Sequence, residues 1–235
     1  MQDHLRECVA GAYKHFSPAT SRRVLAQVVD PSDIAVRDRL RSLKLRDWQS
    51  PHALEYLGYA TLGEDTKGLQ RVLPRLLELL VTERLAFACS YGTLLGALLD
   101  ALRHDNVQRW PREDLLIVER FFEHYLVAVM HQEPSHAVQL ALDLTPVVGN
   151  VEWCLQQLLS ERFDASTLLQ FLAACSQADL GHAERPTNAP RQVLRRWLGA
   201  DATYSYFETL CLKHPELADA PSYPEASMCF VKFRG

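Results

Sequence analysis

The amphipathic pattern of this 235-residue chain is clearest in LQRVLPRLLELLVTER, residues Leu69–Arg84. Its apolar residues recur every three or four positions, which places them on one face of an α-helix. They are Leu69, Val72, Leu73, Leu76, Leu77 and Leu80. The opposite face carries Arg71, Arg75 and Glu78. The stretch therefore predicts a helix that needs apolar partners, with a kink or break at Pro74 because proline lacks a backbone N–H.

The rest of the chain repeats the same kind of pattern. Segments with helical spacing, about 10–20 residues long, are separated by capping residues and prolines that start and stop helices. Alternating strand patterns and short hairpin turns are not found. The sequence therefore predicts an all-α fold of roughly nine to twelve helices, arranged as antiparallel helix pairs. Two architectures remain open, a HEAT-like degenerate repeat and an irregular helical bundle, because no fixed repeat period is present.

Two consecutive helix pairs carry the repeat hypothesis. Pro51–Leu62 is expected to pair with Leu69–Arg84, and Tyr91–Arg103 with Pro111–His131. Short capped connections favour such antiparallel neighbours. A proline that bends one helix of a pair is also familiar in HEAT-like repeats, and Pro74 lies inside such a helix.

The chain length and the helical patterns also predict the domain organisation. We predict one all-helical domain over residues 1–235, with 104–112 as the candidate for a weak boundary. The tail, 215–235, is predicted to be irregular because it holds three prolines and lacks a helical period. The stretch Gln177–Pro190 is the best candidate for a long loop, and a loop of that length is usually either functional or disordered.

Composition and charge exclude several function classes from the expectation. The formal net charge of -4 gives no broad attraction to nucleic acid. The N-terminal stretch lacks the apolar core of a secretion signal, and no apolar run approaches the ~20 residues of a membrane span. The six cysteines are scattered without the close spacing of a zinc or redox motif. We therefore expect a reduced, cytoplasmic protein that binds neither nucleic acid nor membrane.

The sequence motifs give little support for a metal site or a catalytic site. His124 and His131 share a helix face, but Arg120 stands where a second metal ligand would be needed four residues before His124. Cys89 follows small and apolar residues, as a packing cysteine does. Nucleophile elbows and glycine-rich phosphate loops are missing. We predict no catalytic residues, no metal and no cofactor.

Aromatic residues give the candidate binding surface. Trp48 and three tyrosines lie around the Leu69–Arg84 stretch in sequence, interleaved with carboxylates. Aromatic anchors inside a charged rim are typical of protein interfaces. The predicted partner-binding residues are Trp48, Glu55, Tyr56, Tyr59, Glu64, Asp65 and Tyr91. The competing interpretation is that Trp48 and Tyr59 fill the gap between adjacent helices.

The stretch Leu43–Leu80 resembles a family of uncharacterised bacterial all-helical, HEAT-like proteins. In that family a Ser-Leu-Lys-Leu element leads to a tyrosine-containing helix, then to an acidic turn and a Leu-Pro-Arg-Leu-Leu-Glu-Leu segment. Here these parts are Ser42–Leu45, Tyr56 with Tyr59 and Ala60, Gly63–Asp65, and Leu73–Leu79. The match covers about a sixth of the chain. It implies an all-helical bacterial protein and no particular activity.

Three functional hypotheses follow. The first is a non-enzymatic protein-binding module, more narrowly an immunity or antitoxin-like protein that occludes a toxin or effector. The second is a helical-repeat adaptor or scaffold that binds a peptide in a groove. The third is an enzyme with a dispersed site that uses His124, Glu119 and Glu123. A stoichiometric partner would favour the first hypothesis, and a concave surface would favour the second. A polar pocket would favour the third. The sequence leaves the oligomeric state open.

Overall fold

The computed structural model describes residues 2–16, 38–40, 42–60, 66–82, 93–148, 151–160, 163–178, 180 and 189–234. Within these ranges the structure gives bounds for eleven α-helices and three short 3₁₀-helices; residues 38–40 and 42 are also helical, and no strand is present. The predicted all-α class is confirmed.

The α-helices are numbered in chain order. In the first half they are α1 (Gln2–Phe16), α2 (Ser50–Ala60), α3 (Thr66–Thr82), α4 (Leu94–His104) and α5 (Arg112–Gln132). In the second half they are α6 (Pro134–Val148), α7 (Glu152–Gln157), α8 (Ala165–Gln177), α9 (Ala189–Gly199), α10 (Asp201–Lys213) and α11 (Tyr223–Arg234). The 3₁₀-helices are Leu45–Asp47, Val107–Arg109 and Pro215–Asp219.

The chain divides into two compact units, Met1–His124 and Tyr125–Gly235. The division falls inside α5, away from the weak boundary predicted near 104–112. Each unit has its own apolar core. The prediction of a single domain over 1–235 stays a prediction.

The first unit is built on α3. Every apolar residue of its predicted stripe is at most 5% exposed. α1 packs along α3, and α2 packs mainly against α4. The principal neighbours are therefore not consecutive helices, which favours an irregular bundle over regularly stacked pairs. Pro74 lies inside α3 without breaking it, because burial of the stripe on both sides outweighs one lost backbone bond.

The second unit is built on α8. This helix packs against α6 and, most extensively, against α11. Phe171 of α8 is fully buried and meets the Trp197 ring edge-to-face, with ring centroids 5.9 Å apart. Asp164 caps the helix, as its sequence predicts, by accepting the Thr167 N–H at 2.8 Å.

The tail corrects the sequence-based prediction. Residues 215–235 were expected to be irregular, but they contain the 3₁₀-helix Pro215–Asp219 and the 12-residue helix α11. Pro224 lies in the first turn of α11, where a missing N–H costs nothing. Ala226, Cys229 and Phe230 follow at helical spacing and are buried. The prolines therefore mark helix starts rather than irregular chain.

Candidate interaction groove

Two residues of the predicted aromatic surface belong to the core of the first unit. Trp48 is 0% exposed and Tyr56 is 4% exposed. Their ring centroids lie 5.5 Å apart. This corrects the predicted surface at these positions, because neither side chain is available to a partner. Large aromatic rings serve interiors and interfaces equally well, so the sequence pattern alone does not separate the two roles.

The other members of that surface are only partly placed. Glu55 is half-buried on α2 and forms an ion pair with Arg39. Three further members lie entirely outside the described residues: Glu64, Asp65 and Tyr91. The side chain of Tyr59 also lies outside them. A binding role for these four residues stays a prediction.

A polar network surrounds the backbone of Trp48 instead. The Arg75 guanidinium donates from Nε to the Trp48 carbonyl oxygen at 2.9 Å and from Nη1 to Glu78 Oε2 at 2.7 Å. The Tyr13 hydroxyl donates to the same Glu78 oxygen at 2.6 Å. The Arg46 guanidinium lies 5.7 Å from the centre of the Tyr13 ring. The network joins α1, α3 and the segment that leads into α2.

The network sets the protonation of its members. Partial burial acts to raise the pKa of Glu78, but the hydrogen bonds from Tyr13 and Arg75 and the Arg75 charge outweigh it, so the pKa is lowered overall. Burial and the hydrogen bond to Glu78 raise the pKa of the Tyr13 phenol. Glu78 is therefore a carboxylate and Tyr13 a neutral donor at pH 7, the combination that the hydrogen bonds require.

The Glu78 network should make the first unit sensitive to acid. A carboxyl whose pKa is lower in the folded chain stabilises it above the unfolded pKa, near 4.5, and that stabilisation is lost as pH falls through the folded pKa. We expect Glu78→Gln to reduce the free energy of unfolding by about 1 kcal/mol at pH 7. The deficit should shrink when urea unfolding is repeated at acidic pH.

The matched control for that titration is Glu133→Gln, which alters an exposed carboxylate. It should leave the free energy of unfolding within about 0.5 kcal/mol of the parent value at either pH. A Glu78→Gln deficit that is the same at neutral and acidic pH would contradict the proposed role of the Glu78 charge.

The residues of the enzyme hypothesis are engaged in local contacts. The His124 ring stacks on that of His4, with centroids 5.5 Å apart, and Glu119 pairs with Arg112 at 2.9 Å. Burial and the neighbouring Glu119 charge raise the pKa of Glu123. Within the described ranges, no three His, Cys, Asp or Glu side chains are grouped so that they could hold a metal ion. The predictions of no metal and no enzyme stay predictions.

The second unit contains a groove that the sequence did not reveal. It is open, has a volume of about 1000 Å³, and lies between α10, the 3₁₀-helix Pro215–Asp219 and α11. Four aromatic rings contribute to its lining, and Phe230 contacts two of them, with centroids 5.3 Å from Tyr204 and 5.0 Å from Phe207. Phe207 in turn stacks on Tyr223 at 6.2 Å. The groove therefore has a packed aromatic lining supported by two helices.

The edge of the groove is unusually apolar for a surface. Leu212 is 84% exposed and Val231 is 70% exposed, and both line the groove. Met228, at 59%, lies on α11 but does not line it. In the part of the chain that the structure describes, the only other exposed large apolar side chain is Trp153. Contiguous exposed apolar surface of this kind marks interaction sites.

The surroundings of the groove are acidic. Glu208 lines it, and Glu216 and Asp219 lie on the 3₁₀-helix that forms one wall. Residues 201–225 hold five carboxylates and one lysine. A backbone hydrogen bond, with a second from His214, lowers the pKa of Glu216, which keeps that exposed group ionised. The apolar lining is thus bordered by negative charge.

Lys232, one of the two basic residues of α11, is committed elsewhere. Lys232 Nζ donates to the carbonyl oxygens of Ser176 and Ala178, at 3.0 and 3.2 Å. These carbonyls belong to the end of α8, where the partial negative charge of the helix favours a cation. Lys232 therefore fastens α11 to α8, and its charge is held at that helix end.

Cysteine chemistry distinguishes the groove from the core beneath it. Cys211 lines the groove, whereas Cys229 is buried on α11. Burial raises the pKa of Cys229 to about 12, so on the order of one part in ten thousand is thiolate at pH 8. Burial and the nearby Glu208 also raise the pKa of Cys211, but this thiol is partly open to solvent.

We therefore expect unequal labelling of these two thiols. Iodoacetamide at pH 8, followed by peptide mass mapping, should modify Cys211 in the folded protein and leave Cys229 unmodified until urea unfolds the chain. Equal labelling rates of the two residues in the absence of urea would show that α11 is not docked as described.

Comparisons of the chain with protein-family models, with curated proteins and with solved structures found no match. The resemblance of Leu43–Leu80 to bacterial HEAT-like proteins stays a prediction. None of the described helices has the length and apolar character needed to cross a membrane.

Proposed function

We propose that this chain is a non-enzymatic protein-binding module, and that the groove between α10 and α11 is its contact surface. One observation carries the proposal: Leu212 and Val231 are largely exposed at the edge of an aromatic-lined groove. Burying such side chains against a partner contributes about 25 cal/mol for each Å² of apolar area removed from water. Without a partner these side chains stay in contact with water, and the protein does not gain this free energy.

The dimensions of the groove suit an extended ligand. The lining residues of α10 run from Tyr204 to Leu212, which corresponds to about 12 Å at 1.5 Å per residue. An amphipathic helix laid along it could place anchors at positions i, i+3 or i+4, and i+7, which span about 10 Å. This mode of binding is that of the adaptor hypothesis. The narrower hypothesis of an immunity protein that occludes a toxin shares the protein-binding class and stays a prediction.

Co-purification with matched variants tests the proposal. Leu212→Gln and Val231→Gln remove apolar contact at exposed helical positions while keeping a good helix former. We expect a partner to co-purify with the parent protein at defined stoichiometry. The amount of co-purified partner should fall about tenfold or more when both substitutions are present.

The control is Met228→Gln. Met228 is an exposed apolar residue on α11, the helix of Val231, and it lies outside the groove lining. It should retain the partner at the parent level. All variants should unfold within about 0.5 kcal/mol of the parent protein. If the Leu212/Val231 double variant retained a partner as well as the Met228 variant, the groove would not be the contact surface.

A further inference from the structure

We infer that the occupant of the groove is an amphipathic helix of a partner protein whose apolar stripe is flanked by lysine and arginine. This inference rests on the proposed function and specifies the class of its ligand. The apolar part follows from the aromatic lining formed by Tyr204, Phe207, Tyr223 and Phe230. The basic part follows from the charge around that lining.

Charge complementarity is the first argument. Glu208 lies in the groove lining, and Glu216 and Asp219 lie on the 3₁₀-helix whose Pro215 and Ala218 complete it. Two lysines lie near these three carboxylates: Lys213 is exposed at the end of α10, and Lys232 of α11 is bound to two carbonyl oxygens at the end of α8. Negative charge is therefore in excess around the lining. An apolar helix flanked by acidic residues would meet like charges along this edge, whereas a basic-flanked helix would meet opposite ones.

The openness of the groove is the second argument. A small-molecule site typically encloses most of its ligand's surface. Here Leu212 and Val231, both lining residues, are 84% and 70% exposed. A rod-shaped ligand that continues beyond both ends of the groove can cover these side chains, because its own length supplies the missing wall.

Self-association through this surface is disfavoured by the same charges. In a twofold symmetric dimer the same patch of each copy faces the other. The carboxylates of Glu208, Glu216 and Asp219 from both copies would then surround one apolar centre. A heterologous partner with basic flanks avoids this repulsion.

Synthetic peptides test the inference with the 235-residue protein. The first probe is a 16-residue helical peptide with one leucine stripe and with lysine and arginine on both flanks. A second carries glutamate in place of every lysine and arginine. A third has the composition of the first with its leucines distributed around the helix. Fluorescence anisotropy gives the Kd of each at low salt and in 0.5 M NaCl.

We expect the basic striped peptide to bind at least about tenfold more tightly than either alternative at low salt. The difference in affinity between the basic and the acidic peptide should become smaller in 0.5 M salt, because charges are then screened within a few ångströms. Val231→Gln should weaken binding about fivefold or more, and Met228→Gln less than about twofold. Glu208→Gln should weaken binding of the basic peptide about two- to threefold and strengthen binding of the acidic peptide by a similar factor.

Other outcomes separate the inference from the proposed function. Equal affinity for the basic and acidic striped peptides, lost in Val231→Gln, would overturn the basic-flank inference and support the groove as a protein-binding site. A dimer in light scattering that the Leu212/Val231 double variant dissociates would show a second copy as the occupant and overturn the inference. Equal affinity for the basic striped peptide and its redistributed isomer, unaffected by Val231→Gln, would overturn both.

Discussion

Replacing Trp48 with alanine lowers the free energy of unfolding of the first unit by about 3–5 kcal/mol, the usual cost of deleting a large buried aromatic side chain. Trp48 is 0% exposed and packs against Tyr56. The cavity left by the indole cannot close fully, because the Trp48 backbone is held by Arg75 of α3. Urea unfolding, with hydrogen exchange to locate the destabilised unit, measures the effect.

The matched control is Trp48→Phe. The indole Nε1 has no hydrogen-bond partner within the described residues, so phenylalanine keeps most of the buried ring surface without giving up a bond there. The loss should be below about 1.5 kcal/mol. If Trp48→Phe kept its stability but failed to retain the partner, Trp48 would belong to a binding surface, as its sequence context had suggested.

Replacing Phe230 with alanine should destabilise the second unit by about 3 kcal/mol or more. Phe230 is 4% exposed and touches the rings of both Tyr204 and Phe207. Its removal therefore loosens α11 from α10 and opens the lining of the groove. Hydrogen exchange should show faster opening of α10 and α11 with little change in the first unit.

The adjacent residue supplies the control for this prediction. Val231 is 70% exposed, so Val231→Ala should change the free energy of unfolding by no more than about 0.5 kcal/mol. A Phe230→Ala deficit as small as that of Val231→Ala would mean that the tail is not a packed helix.

Much of the fold could be predicted because helical periodicity is a local property. The apolar stripe of α3 is buried at every predicted position, since a face with that spacing has no other stable arrangement in water. Asp164 behaves as the N-cap that its position suggests. These features depend on residues within a few positions of one another, which a sequence displays directly.

Tertiary placement could not be predicted in the same way. The sequence around Trp48 is compatible both with a binding surface and with the gap between two helices, because aromatic and acidic residues alternate there. Its environment depends on Tyr56 and on Arg75, 27 residues later in the chain. In the tail, Pro221 and Pro224 obscured the spacing of Ala226, Cys229 and Phe230. That spacing was the available signal for α11 and hence for the groove.

Hydrogen exchange of the 235-residue protein with and without its bound ligand tests the central claim most directly. Either the co-purified partner or the basic striped peptide can serve as the ligand. We expect protection confined to residues 204–218 and 223–231, which form the groove. Protection centred on residues 48–60 with none at the groove would contradict it, and would place the contact on the surface that the aromatic residues of the first unit had suggested.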